Sequence, residues 1–181
     1  MMDAFLPALV RRIDALSRAI GRASALLLPV MMLVVVANVV MRYGFGIGMI
    51  EFEELQWHIN AIVVMGCLAY AYRDDAHVRV DVLHARFSER GRAVIEIVGG
   101  AVLLLPFVIG IAYFAWDNFA YSFAIGERSP MPSGLPARYV IKFVLFAGFV
   151  LLGLQGIAAI GRGILTLAGR PLADTQPREL P

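Results

Sequence analysis

Ala23-Ser-Ala-Leu-Leu-Leu-Pro-Val-Met-Met-Leu-Val-Val-Val-Ala-Asn-Val-Val-Met41 carries no charged side chain, and its only polar ones are Ser24 and Asn38. A helix needs about 20 mostly apolar residues to cross the ~30 Å hydrocarbon core of a bilayer, where the backbone has to satisfy its own hydrogen bonds. Three more stretches have that length. Ile97–Trp116 has no charged residue, and Phe143–Gly161 has Gln155 as its one polar side chain. Leu55–Tyr72 is more polar, with Gln56, His58 and Asn60 in its first two turns, which places those turns at the membrane interface or against protein. The expectation is an all-α membrane protein with four transmembrane helices at 23–41, 55–72, 97–116 and 143–161.

Composition points the same way. Of 181 residues 60% are hydrophobic and 17% charged, against about 25% charged in soluble domains. A soluble domain of this size hides only about 70% of the surface its unfolded chain exposes, so the apolar excess has to face lipid. Pro29 and Pro106 fall inside the first and third stretches and predict mild kinks. Phe5–Arg22 repeats Leu6, Leu9, Ile13, Leu16 and Ile20 at helical spacing, with Arg11, Arg12, Asp14, Arg18 and Arg22 elsewhere around the helix. That pattern reads as an N-terminal amphipathic interfacial helix over 5–22. A cleavable signal peptide would have a shorter apolar region nearer the terminus.

Arginine and lysine favour cytoplasmic loops. Twelve of the sixteen basic residues lie in the N-terminal segment, between the second and third stretches, or in the tail 162–181. Both ends are therefore expected inside, N-in and C-in, with Tyr43–Glu54 and Asp117–Lys142 facing outward. The whole chain reads as one membrane domain.

Few residues suggest chemistry. Cys67 is the single cysteine, so no intramolecular disulfide or paired-thiol centre forms. Glu51, Glu54 and His58 share a helical face, but a di-metal bundle needs two Glu-x-x-His motifs and this spacing is Glu-x-x-x-His, once. No metal, cofactor or catalytic residue is expected, and the arginines, clustered beside apolar runs, argue against nucleic acid. With no charge in the middle of any span, the chain reads as an accessory or scaffolding subunit. A haem- or quinone-associated anchor of a redox complex is the alternative, although haem usually asks for two facing histidines and His58 alone is membrane-embedded.

Val40-Met-Arg-Tyr43 closes the first span and Glu51-Phe-Glu-Glu-Leu-Gln-Trp57 opens the second, followed by Gly66-Cys-Leu-Ala-Tyr-Ala-Tyr-Arg73 and Asp75-Ala-His-Val-Arg-Val-Asp81. In this order on a four-span frame, over about residues 8–165, the chain resembles the small permease (Q, DctQ-like) subunit of tripartite ATP-independent periplasmic (TRAP) transporters. The resemblance implies a multi-pass protein of the bacterial inner membrane. Its partners would be a large permease (M) subunit, working as an elevator driven by a sodium gradient, and a periplasmic solute-binding protein (P subunit). Gly134-Leu-Pro-Ala-Arg-Tyr-Val-Ile-Lys142 and Leu154-Gln-Gly156 are similar to a branch labelled for mannitol or chloroaromatic compounds. Some relatives of that branch handle 2-oxo or 2-hydroxy monocarboxylates, so an organic acid is the implied cargo.

Several residues mark subunit or structural contacts. Arg42 closes the first span where Glu51, Glu53 and Glu54 open the second, so an Arg42–Glu54 pair is expected to staple this hairpin. Trp57 is an interfacial anchor, with Tyr70, Tyr72, Trp116 and Tyr121, and Glu51, Glu54 and His58 form a polar patch for a partner or headgroups. His77, Arg79 and Asp81 alternate with valines and are expected to lock the inner loop. In the outward loop, Glu127, Arg128, Met131, Leu135 and Arg138 are the expected docking residues for the binding protein.

Overall fold

A computed structural model describes residues 2–74, 87–170 and 172, with side chains from residue 5. The described chain is helical, with no strand among the described residues. In order it forms α1 (Met2–Ala25), α2 (Leu27–Gly44), α3 (Ile50–Arg73), α4 (Glu89–Gly99), a π turn (Gly100–Leu104), α5 (Leu105–Ala124) and α6 (Tyr139–Leu167). Each of the four apolar stretches lies within these helices.

Three helical runs are long and apolar enough to cross a membrane: Phe5–Gly44, Glu89–Ala124 and Tyr139–Leu167. The second expected span has a helix, α3, but Gln56, His58 and Asn60 leave it less apolar than these three. Both prolines leave a mark on the backbone. Pro29 has no N–H for the carbonyl of Ala25 and its ring crowds that carbonyl, so α1 gives way to α2 through one non-helical residue, Leu26, which keeps right-handed dihedrals. Pro106 does the same to the turn before it, and the backbone answers by widening to i→i+5 bonding over Gly100–Leu104.

The membrane-level helices stand in a row rather than a square. The main contacts run α2 to α3, α3 to α6, and α6 to α5, while α1 packs against α3 and α6 and α4 against α6. Central α6 therefore holds the largest share of the core, including Leu151, Leu152, Ala158 and Ala159. Small residues let the rods approach closely. A Cβ on Gly148 would stand 2.7 Å from Met65 Cβ across the α3–α6 seam, and one on Gly21 would collide with Tyr70 across α1–α3. Phe119, Phe123, Tyr139, Phe143, Phe146 and Trp116 stack in edge and tilted pairs, with centroids 5.1–6.2 Å apart, along the half of α5–α6 next to the loop that joins them.

Candidate functional site

α1 is helical over 5–22, yet one of its faces is sealed by protein. Val10 and Ile13 pack with Ala158 of α6, while Asp14, Ser17, Gly21 and Ser24 continue the buried line. Asp14, grouped in the sequence with the arginines away from the apolar stripe, parts from them here: it is 7% exposed. Its carboxylate can be buried because three groups meet it. Gln155 Nε2 and Arg162 Nη1 each donate to Asp14 Oδ1 at 2.8 Å, and Arg73 Nε stands 3.6 Å from the same oxygen. The Ser17 hydroxyl donates to Gln155 Oε1 at 2.8 Å, which occupies both ends of an amide with no solvent exposure. Arg73 also pairs with Asp74 at 2.6 Å. One network thus ties α1, α3 and α6. Only side chains that satisfy one another can hold charge at such burial.

A second polar cluster joins the α2–α3 hairpin to the loop before α6. Arg42 pairs with Glu53 and not, as expected, with Glu54. Neighbouring residues on a helix point about 100° apart, so when Glu53 faces α2, Glu54 turns toward the loop. There it accepts from the Ser129 hydroxyl through Oε1 and from the Leu135 backbone N–H at 2.6 Å through Oε2. The loop is closed by Arg138 N–H donating to Glu127 O at 3.0 Å and by Lys142 donating to the Glu127 carboxylate at 2.5 Å. Ala137 takes φ 62°, a conformation that L residues avoid, just before α6 begins. Hydrogen bonds from Ser129 and then Leu135 hold the Glu54 carboxyl below its ordinary value, and Lys142 does the same to Glu127.

The expected site residues separate accordingly. Arg42 with Glu53, and Glu54 with the loop, are structural ties, and Glu51 stands half-buried in the first turn of α3. His58 bonds through Nδ1 to the Glu54 carbonyl at 2.7 Å, so the Glu54–His58 pair already has partners. Trp57 is 72% exposed on the outside of α3. His77, Arg79 and Asp81 lie outside the described residues. Among the docking candidates Arg128, Met131 and Arg138 are exposed, whereas Glu127 is engaged by Lys142 and Leu135 by Glu54. Sequence reasoning missed the Asp14 network. Its visible traces were a single acidic residue among arginines in α1 and a lone glutamine in an otherwise apolar span.

Comparison with known proteins agrees with this helical, charge-flanked architecture. Residues 31–166, from α2 to the end of α6, match the model of the DctQ component of tripartite ATP-independent periplasmic transporters. A protein of Haemophilus influenzae named "Putative TRAP transporter small permease protein" is 26% identical over 125 residues, which cover 69% of this chain and 75% of that relative. No solved structure matches. Such a match sets aside the redox-anchor alternative, since the family is a transporter component and not an enzyme class. With three helices of membrane-crossing length and a family match over α2–α6, this multi-pass membrane chain belongs to the DctQ family of TRAP transporter components.

Proposed function

We propose that the chain is the fixed small subunit of a TRAP transporter, crossing the inner membrane four times with both ends in the cytoplasm. In this role it supports a large permease subunit in sodium-driven, binding-protein-dependent uptake of an organic acid, a 2-oxo or 2-hydroxy monocarboxylate being the first class to test. One observation carries the four crossings. Charged residues flank every membrane-level stretch at nearly the same interval: Arg22 and Arg42, Glu54 and Arg73, Glu96 and Asp117, Lys142 and Arg162. Each pair is nineteen to twenty-one residues apart, about 30 Å of helix rise, with no Asp, Glu, Lys or Arg between. By that measure α3 is built to the same membrane as its more apolar neighbours. The arginine bias orients the row with α4 and the start of α1 inward.

The domain limits follow from this frame: 5–22 an amphipathic helix, 23–41, 55–72, 97–116 and 143–161 the spans, and 162–181 an inner tail. α1 keeps an exposed amphipathic side, with Phe5, Leu16 and Ile20 beside Arg11, Arg12 and Arg22, suited to the headgroup layer. On the outer side, the loop held by Glu54 presents Arg128, Met131 and Arg138 to the binding protein.

Vesicles reconstituted with this chain, its large subunit and its binding protein should take up the solute on a sodium gradient, and vesicles lacking any one should not. Arg128→Glu should lower that uptake without lowering the amount of complex in the membrane. Uptake by this chain alone, or reporter fusions placing its two ends on opposite faces, would overturn the reading.

A further inference from the structure

Lipid covers apolar surface without penalty but offers an amide no hydrogen bond. The charge-free segments are therefore informative wherever they display polar side chains. In the π turn, α5 and α6 the exposed residues between the flanks include Val102, Leu103, Phe107, Ile109, Phe114, Phe143, Val150 and Ile157, all apolar, and Tyr113. The hairpin α2–α3 differs. Asn60 of α3 is exposed and makes no hydrogen bond among the described residues, seven positions inside Glu53, or about 10 Å of helix rise. The same hairpin holds two more carboxamides with an idle atom: Asn38 Oδ1 of α2 and Gln56 Nε2 of α3 are buried with no hydrogen-bond partner among the described residues.

Trp57, Asn60 and Val64 form one exposed stripe at i, i+3 and i+7. That stripe looks away from α1, because Trp57 and Gly66, where an added Cβ would collide with Ser24 of α1, are nine residues apart and so about half a turn around the helix from each other. Nothing of the described chain covers it.

We propose that the Trp57–Asn60–Val64 face of α3 is where the large permease subunit docks, through a transmembrane helix that offers Asn60 a hydrogen-bonding group. This inference rests on the small-subunit reading above. Trp57 gives the contact its apolar anchor and Asn60 its register, while the outer face of α5 stays in lipid.

The test uses the full chain co-expressed with its large subunit. In a Cys67→Ala background, a thiol-directed photo-crosslinker is attached at Trp57→Cys or Val64→Cys, and at Ile109→Cys or Tyr113→Cys on α5. Crosslinks to the large subunit are expected from 57 and 64 and not from 109 and 113. Asn60→Leu should reduce the large subunit retained on purification by about three- to thirtyfold, with the thermal stability of the small subunit alone unchanged or raised. Crosslinks from 109 and 113 alone, or an Asn60→Leu chain that retains the large subunit fully, overturn the docking face and leave the transporter reading standing. If the unaltered chain retains no large subunit, the transporter reading itself fails, and the docking face with it.

Discussion

The two ends of the helix row, inner and outer on the proposed topology, are tied by the same chemistry, carboxylate to cation or amide, in opposite surroundings. At the inner end Asp14, Gln155 and Ser17 are buried and Arg162 is partly so, and they come from segments about 140 residues apart in sequence. At the outer end Arg42 and Glu53 stay nearly half exposed and sit on either side of one short turn. An exposed pair gains little because water screens it, whereas a buried carboxylate without its partners strands charge in low dielectric. The lesson is that the inner network fixes how α1 sits on the bundle, while the outer ties shape a loop.

Substitutions can break that contrast, beginning with the largest effect. Asp14→Ala should destabilise the chain by about 3–5 kcal/mol in detergent unfolding, because it leaves the Arg162 guanidinium and the Gln155 amide buried and unmatched. A loss below about 1 kcal/mol would show that water reaches this network and that the two ends are alike. Gln155→Leu should cost less, about 1–3 kcal/mol, since it removes a neutral bridge and leaves the Asp14–Arg162 contact in place. Equal losses for the two variants would mean that the network acts as one indivisible unit.

At the outer end the readouts are local. Glu54→Gln should speed hydrogen exchange at the Leu135 amide several-fold with little change in global unfolding. Acid should act the same way. The folded carboxyl lies below its ordinary value near 4.5, so its contribution is full above that value and is lost as pH falls through the lower folded one. Exchange at Leu135 that stays flat between neutrality and pH 3 would remove Glu54 as the clamp. The smallest effect belongs to Arg42 and Glu53, where a double-mutant cycle to alanine should give a coupling of about 0–1 kcal/mol. A coupling above about 2 kcal/mol would place this pair in a dry seam.

Much of this fold could be read in the sequence, because lipid imposes a length and a composition that a single stretch displays by itself. Ala23–Met41 and Phe143–Gly161 need no partner to be recognised. Pairings between helices are another matter. Whether Arg42 meets Glu53 or Glu54 depends on how the five residues between α2 and α3 rotate one helix against the other, and a step of one residue turns a side chain by about 100°. Asp14 was harder still. The periodicity of α1 shows a polar residue beside arginines, and only the arrival of α6 shows that the polar residue is enclosed. The line Val10, Asp14, Ser17, Gly21 and Ser24, small or matched side chains at spacings of three and four, was the signal available for that face.

The row of helices has one more consequence. Rods standing in single file enclose no lumen, so the described helices leave no path between them for water to thread from one side of the membrane to the other. A cell could make it in excess of its partner without opening a leak to protons or sodium. On the fixed-subunit reading, the energy stored across the membrane would be safe beside an unpaired copy, and the hazard of transport would belong to the partner.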